Sequence, residues 1–343
     1  MQLELQNIGM IKEAKVTIDG LTVIAGENDT GKSTLSKALF YGLTIIREVQ
    51  SNASDGKLTT VDYPTVLACT DIFKVDILQG INVEYLKNSI IELTINGQTI
   101  NPKLLSGASA TQINDKVKNM TIPEAIFIET PLVWNFSDFF RDIAQIESQM
   151  RIKLNYPFLM KDLNFKLHIK SASDGVDIKK QMTELMGGEF KKDEMGRYYF
   201  DKQGQKIDLV NTATGIKTFG IFQVLSQNNW LNQDTVLILD EPEVHIHPKW
   251  QLEMAKVIVD LVKNGVKIVV NSHSPYMIEA LKRYSDRANL QDKTNFYLAQ
   301  DGFIKKINDS NSQTLVSIYE KLSEPYDIFE EMDSQRLEKF ING

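Results

Sequence analysis

The sequence has few cysteines and lacks long apolar runs. Cys69 is the only cysteine among 343 residues, so the chain can form no internal disulfide and holds no cysteine-rich metal site, as expected in a reducing cytosol. No apolar run approaches the roughly 20 residues that span a bilayer. Residues 1–7 alternate like a strand and do not resemble a signal peptide. These absences predict a soluble cytoplasmic protein with no membrane association.

Positive charge is also in deficit. The chain carries 38 Lys and Arg against 45 Asp and Glu, a formal net charge of -7. This balance argues against a uniformly basic protein that coats nucleic acid. Net charge does not describe how charge is distributed, so binding of nucleic acid in a local basic groove stays open. The length and the 42% hydrophobic content allow a sizeable core, in two domains or in one domain with a large insertion.

A segment with glycines at two positions, residues 26–34, follows the apolar run 21–25 and opens a helical pattern. The glycines let the backbone wrap so that successive N–H groups point at phosphate oxygens. Lys32 would supply a positive charge and Ser33 a magnesium ligand. The segment therefore predicts a nucleotide site, and its binding residues are Gly26, Asn28, Gly31, Lys32, Ser33 and Thr34.

The order of the predicted elements indicates an α/β protein. Residues 2–25 read as strands, and from residue 211 onward helices alternate with buried strands. That alternation implies a mainly parallel sheet covered by helices. We predict one phosphate-loop domain built from residues 1–50 and 205–343, interrupted by a β-rich and helical arm over 51–204.

Several local predictions accompany this division. They are a turn-like stretch at 51–56, strands at 81–86 and 90–95, a hairpin turn at Asn96-Gly97, a loop at 102–110, helix over 134–165, a strand containing His168, and separate helices near 313–322 and 327–341.

Two adjacent carboxylates end the apolar run 235–239. The run is too apolar for a half-exposed strand and fits a central parallel one. Ligands of such sheets bind just beyond the carboxyl ends of the strands, so Asp240 would lie beside the phosphate loop. We assign Asp240 to hold Mg²⁺ and Glu241 to orient or deprotonate the attacking water.

A second buried strand, 267–270, ends in the polar run Asn271-Ser272-His273-Ser274-Pro275. At the same sheet edge, His273 could donate a hydrogen bond to a γ-phosphate oxygen and act in catalysis with Glu241 and Lys32. His245 and His247 stand two apart, a spacing that could suggest zinc. No further ligand set is evident, so a structural or subunit-contact role is favoured for them.

In combination, Asn28, the strand ending in Asp240-Glu241-Pro242, the His-x-His-Pro segment and residues 271–275 resemble one family. The chain resembles the ABC-type ATPases of the overcoming-lysogenization-defect class, relatives of the RecF and SMC heads. The resemblance covers about residues 1–50 and 205–300, whereas 51–205 is only loosely similar. It implies an ABC-type ATPase that uses ATP and Mg²⁺.

The resemblance also implies a signature segment that contacts the γ-phosphate of a nucleotide held by a second subunit. The matching stretch is 211–217, in which Thr212 and Thr214 compete for the place of the family's serine and Gly215 keeps one glycine. The stretch departs from the Leu-Ser-Gly-Gly-Gln form of transporters. The family's metal-contacting glutamine has no assigned counterpart.

The resemblance further implies a head-to-tail homodimer, or a higher homo-oligomer. In the implied mechanism the dimer closes around two ATP molecules and opens after hydrolysis. Many members carry a C-terminal nuclease domain, which residues 300–343 do not resemble. We therefore expect a bacterial anti-phage ATPase that acts with a separate effector, a nuclease or toxin. The alternative is a DNA-binding repair clamp of the RecF or SMC-head kind. Transport is disfavoured by the altered signature segment, and an ATPase of unassigned purpose remains the plainest interpretation.

Overall fold

The architecture comes from a computed structural model that describes residues 1–54, 89–101, 117–150 and 158–342. Its strands are β1 Gln2–Ile8, β2 Ile11–Thr17, β3 Leu21–Ala25, β4 Ile90–Ile95, β5 Gln98–Ile100, β6 Glu124–Ile128, β7 Glu189–Lys192, β8 Tyr198–Lys202, β9 Gln205–Asp208, β10 Thr235–Asp240, β11 Lys267–Ser272, β12 Thr294–Gln300 and β13 Phe303–Lys305. Its helices are α1 Lys32–Ser54, α2 Ser137–Met150, α3 Phe158–His168, α4 Lys179–Met186, α5 Thr214–Gln227, α6 Pro248–Lys263, α7 Pro275–Arg287 and α8 Asn311–Asn342.

The main sheet is mixed, with strand order β5-β4-β1-β2-β13-β12-β3-β11-β10-β6. Strands β12, β3, β11, β10 and β6 are mutually parallel. At the other end, β2, β1, β4 and β5 pair antiparallel. The predicted α/β fold with N-terminal antiparallel strands is confirmed. Strands β7, β8 and β9 form a separate small sheet.

The strand sequences explain why helices cover both faces of the parallel half. Along β10, Val236 and Ile238 pack into one hydrophobic cluster and Leu237 and Leu239 into another. Neighbouring side chains of a strand point to opposite faces, so an uninterrupted apolar run needs cover on both. Helix α1 covers the first face, and α5, α6 and α7 cover the second. The central strands are thereby fixed, and so are the loops that leave their ends.

The predicted arm is only partly separate from the sheet. Strand β4 pairs with β1, β5 with β4, and β6 with β10, so these strands extend the main sheet. The alternating side chains of β4 and the apolar side chains of β6 thus find their neighbours on strands far away in sequence. The hairpin turn at Asn96-Gly97 is confirmed. The predicted strand 81–86 and loop 102–110 lie outside the described residues. The division into domain and arm stays a prediction.

Three local predictions were wrong. Helix α1 continues to Ser54, so the turn predicted from residue 51 does not begin there. His168 lies in helix α3, not in a strand, and its Nδ1 lies 2.8 Å from the Asn164 carbonyl one turn earlier. The C-terminal helices are one helix, α8, which continues through Pro325. Proline lacks the backbone N–H that would donate to the preceding turn, yet the helix is continuous on both sides of Pro325.

Candidate functional site

Three loops meet at one edge of the main sheet. Strands β3, β11 and β10 are adjacent and parallel, with Ala25 opposite Ser272 and Asn271 opposite Asp240. The carboxyl ends of parallel strands lie at the same edge. The pairing register therefore brings the phosphate loop, the Asp240-Glu241 pair and the His273 segment together, as the sequence predicted.

The phosphate loop needs its glycines for space and for backbone conformation. A Cβ at Gly26 would lie 2.3 Å from the Ala299 carbonyl oxygen, and one at Gly31 would lie 2.8 Å from Ile11 Cγ1. Gly31 also has φ of 95°, in the region that favours glycine. Asn28 is exposed near the tip, and Thr34 is half-buried in the first turn of α1. The backbone of the phosphate loop can therefore take this course only with glycine at positions 26 and 31.

Lys32 is folded into the curve of its own loop. The residue is 4% exposed. Its Nζ donates to the carbonyl oxygens of Gly26, at 2.9 Å, and Glu27, at 2.6 Å. Burial lowers the pKa of Lys32, and the nearby carboxylates of Glu241 and Asp240 oppose that shift. The loop thus holds an amine at the centre of its curve, where a phosphate group would need a positive charge.

Asp240 joins the phosphate loop to the neighbouring strands. Its Oδ1 accepts hydrogen bonds from Ser33 Oγ at 3.0 Å and from Asn271 Nδ2 at 2.7 Å. Ser36 of α1 in turn donates to Asn271 Oδ1 at 3.0 Å. Burial raises the pKa of Asp240, and the hydrogen bonds from Asn271 and Ser33 act against it. A hydroxyl and a carboxylate side by side are the oxygen donors that Mg²⁺ prefers, so the residues fit this ion.

Glu241 and His273 face each other across the ends of β10 and β11. Glu241 has a positive φ of 51°, and its N–H donates to the Asn271 carbonyl at 3.0 Å. The Nδ1 atom of His273 lies 3.3 Å from Glu241 Oε1, a close approach without hydrogen-bond alignment. The side chains are 31% and 41% exposed, respectively. Both side chains therefore reach solvent at the sheet edge that also carries the phosphate loop.

The segment proposed to contact a second subunit lies at the start of α5. Thr212 is buried, and its hydroxyl donates to the Asp208 carbonyl at 3.0 Å. Thr214 and Gly215 are half-buried in the first helical turn, which has neither a side-chain cap nor an acidic residue. Among the described residues, no hydrogen bond or ion pair joins positions 212–215 to the phosphate loop. The structure therefore groups these residues apart from the other predicted site residues.

Sequence reasoning missed several residues at this edge. Glu243 accepts hydrogen bonds from Ser272 at the end of β11 and from the two residues that follow it, and Asn271 aligns Asp240. Glu129 follows β6, next to β10, and its Oε1 lies 3.3 Å from Lys37 Nζ. The polar residues directly after each apolar strand were the available signal. Only the strand order showed which of them share an edge.

Of the two histidines after β10, His247 has a structural role at the start of α6. His247 precedes α6, and its Nδ1 accepts a hydrogen bond from the Lys249 N–H at 3.2 Å, which caps the helix. Within the described ranges, no group of three or more His, Cys, Asp or Glu side chains is arranged to hold a metal ion. The structure gives no support for zinc at His245 and His247.

Comparison with known proteins finds one domain match and several distantly similar structures. The family described as AAA ATPase domain matches residues 135–278, a range that includes Asp240, Glu241 and His273. The phosphate loop precedes that range. The match supports the predicted ATPase at the level of this domain. No curated protein matches the sequence significantly.

Solved structures similar to this chain include SMC heads and transporter cassettes. One is an Smc head bound to the C-winged helix domain of ScpA, with 13% identity, a TM-score of 0.45, and coverage of 89% of this chain and 96% of that one. Another is an Smc head domain with an extended coiled coil, derived from Pyrococcus furiosus, with 10% identity, a TM-score of 0.45, and coverage of 94% and 99%. A third is the ADP conformation of an ATP-binding cassette of an ABC transporter, with 13% identity, a TM-score of 0.38, and coverage of 97% and 99%. These likenesses concern the fold alone.

The helices were also compared with the requirements of a bilayer. Among the residues that the structure describes, no helix combines the length and apolar character needed to cross a membrane.

Proposed function

We propose that this chain binds and hydrolyses ATP and works as a conformational switch in a head-to-tail dimer. The observation that carries the proposal is the hydrogen bond of 3.0 Å between Ser33 and Asp240. It joins a phosphate-binding loop to an acidic strand end, the two parts that phosphate-loop ATPases use together. Glu241 and His273 lie beside that pair on the same sheet edge.

Each residue has a definite part in the proposed reaction. Lys32 exchanges its contacts with the Gly26 and Glu27 carbonyls for the phosphate oxygens. Ser33 and Asp240 would hold Mg²⁺, which supplies positive charge against the phosphates. Glu241 orients the attacking water and accepts its proton.

His273 is proposed to donate a hydrogen bond to the terminal phosphate. Its ring lies beside Glu241, so both groups can address the same phosphorus centre from one edge of the sheet. The role is electrostatic, because negative charge on the transferred phosphoryl group is stabilised by fixed donors.

A second copy of the chain is proposed to complete the site through the start of α5. The N–H groups of an uncapped first helical turn are suited to an anion. Thr214 is favoured over Thr212 as the side-chain donor, because the Thr212 hydroxyl is already used within its own loop. ATP would thus form part of the dimer interface, and hydrolysis would loosen it.

The biological role we propose is bacterial anti-phage defence with a separate nuclease or toxin effector. This step rests on the resemblance of the combined motifs to the overcoming-lysogenization-defect class. A repair clamp on DNA is the competing role. Stimulation of turnover by duplex DNA or broken ends, with affinity falling steeply as salt rises, would favour the clamp.

Glu241→Gln tests the ATPase proposal. The change keeps the size of the side chain and removes the base, so turnover should fall roughly 10²- to 10⁴-fold while ATP still binds. ATP turnover, ATP binding and molar mass by light scattering would be measured with and without ATP. We expect the variant to form a lasting ATP-dependent dimer. Glu194→Gln, in an exposed turn, serves as the matched control. Normal steady-state turnover in Glu241→Gln would refute the role of Glu241.

A further inference from the structure

Glu243 is a buried carboxylate that the proposed reaction does not yet use. It lies in the turn that follows β10, three residues beyond Asp240, and its side chain is only 3% exposed. Its Oε1 accepts hydrogen bonds from Ser272 Oγ at 2.6 Å, from the His273 N–H at 3.0 Å and from the Ser274 N–H at 3.2 Å. A carboxylate from the end of one strand therefore fixes the backbone at the end of the next.

The three donors belong to the consecutive residues Ser272, His273 and Ser274. The segment after β11 leaves the sheet immediately, so its N–H groups have no strand partner and need another acceptor. Hydrogen bonds to a charged acceptor are roughly twice as strong as those between neutral groups. Glu243 thereby restricts the direction in which His273 leaves the strand.

A second brace acts on the same segment from helix α6. Ser274 Oγ donates to Gln251 Oε1 at 2.6 Å, and Gln251 Nε2 donates to the Ile246 carbonyl at 3.3 Å. Ser274 and Gln251 are both buried. Ser272 and Ser274, the neighbours of His273, are therefore fixed by buried hydrogen bonds, whereas the imidazole itself remains 41% exposed.

The imidazole also presents one particular nitrogen to the carboxylates. His273 Nδ1 lies 3.3 Å from Glu241 Oε1 and 3.8 Å from Glu243 Oε1. Both Nδ1 and the second Glu243 oxygen, Oε2, are buried without a hydrogen-bond partner among the described residues. The imidazole therefore has two carboxylates on its Nδ1 side. The other ring nitrogen, Nε2, is on the opposite side of the ring.

We propose that Glu243 is the positioning residue for His273: it holds the 272–274 backbone in place, so that the imidazole is directed at the terminal phosphate. The inference rests on the proposed ATPase function and deepens it. Glu243 touches neither nucleotide nor water in this account. Its effect on turnover passes entirely through His273.

A double-mutant cycle tests that dependence. Glu243→Gln keeps the side-chain size and a carbonyl oxygen for the three donors, and it removes the charge. By analogy with other outer partners of functional histidines, it should lower kcat by roughly tenfold and leave the Kd for ATP unchanged within about threefold. In a His273→Ala background the same change should lower kcat by less than about twofold, because the residue it acts through is gone. Glu194→Gln, the exposed control, should change neither parameter.

Imidazole NMR provides a readout that needs no hydrolysis. The chain has four histidines, so ¹⁵N-histidine labelling with single substitutions assigns the signal of His273. We expect Glu243→Gln to shift the His273 signal, because the carboxylate 3.8 Å from Nδ1 is lost, and to leave the signal of His168 in α3 in place.

The outcomes separate the inference from the ATPase proposal. An equal loss of kcat from Glu243→Gln in both backgrounds, or an unchanged His273 signal, would overturn the positioning role. If Glu241→Gln turned over normally while the His273 signal behaved as expected, the ATPase assignment of Glu241 would fail and the positioning role would stand.

Discussion

The buried charge of Lys166 gives the sharpest stability prediction. Its side chain is 3% exposed, and its Nζ lies 2.6 Å from Asp162 Oδ2 and 3.1 Å from Glu124 Oε1. Arg47 of α1 contacts the other Glu124 oxygen at 2.9 Å. The four side chains join α1, β6 and α3, so the network ties the helix of the phosphate loop to the predicted arm. Burial acts to lower the pKa of Lys166, and the carboxylates of Asp162 and Glu124 outweigh it, so the pKa is raised.

Lys166→Met keeps the length of the side chain and deletes its charge. Asp162, whose side chain is 20% exposed, would then lack its main partner, and breaking a buried pair from one side costs about 3 to 5 kcal/mol of unfolding free energy. Removing both charges, as Lys166→Met with Asp162→Leu, should recover much of that loss, because no uncompensated carboxylate remains at residue 162. Lys180→Met is the matched control. That lysine is 91% exposed and 3.9 Å from Glu184, so about 0.5 kcal/mol or less is expected.

Urea denaturation followed by tryptophan fluorescence measures these differences, and Trp230 is a local probe because its ring lies 5.7 Å from Lys166 Nζ. The raised pKa sets the sign of the pH dependence. The stabilisation is fully present below the ordinary lysine value of 10.5 and is lost as pH rises through the higher folded-state pKa. The difference between wild type and variant should therefore be constant from about pH 7 to 9 and shrink above about 10.5. A loss below about 1 kcal/mol at pH 7 would refute the reasoning.

Two further predictions concern the nucleotide site. Asp240→Asn removes the carboxylate beside Ser33, so the Mg²⁺ concentration that half-saturates ATP turnover should rise by about tenfold or more, and an unchanged Mg²⁺ titration would contradict its assignment. Thr212→Val should cost about 1 kcal/mol of stability, because its hydroxyl bonds Asp208, and should leave turnover near normal. Thr214→Val should instead lower turnover with little effect on the melting temperature, and the reverse pattern would favour Thr212 as the signature residue.

Each part of the site that could be predicted from sequence is a short continuous segment of the chain. The phosphate loop requires glycines, a lysine and a hydroxyl within nine residues, and an apolar strand must precede it. Asp240 and the polar segment that contains His273 were predicted because each directly follows an apolar run that fits a buried parallel strand. Parallel strands end at one edge, so the meeting of these loops followed from pattern and geometry together.

The errors occurred where local patterns had several solutions. His168 stands in a stretch whose apolar residues fit either a strand or a helix, and packing of α3 against the core selected the helix. The helices predicted near 313–322 and 327–341 are one helix, because α8 continues through Pro325. Local sequence does not contain the tertiary contacts that decide such cases.

Local sequence is enough to predict the phosphate loop, the carboxylates after β10, the polar segment after β11 and the α/β fold class, because each depends on side-chain types at short and regular spacing. The tertiary structure decided which distant groups meet. It paired β4 and β6 into the main sheet, placed Lys166 between Asp162 and Glu124, and set Glu243 beneath His273. These contacts depend on strand register and helix packing across long sequence separations, which no local spacing encodes.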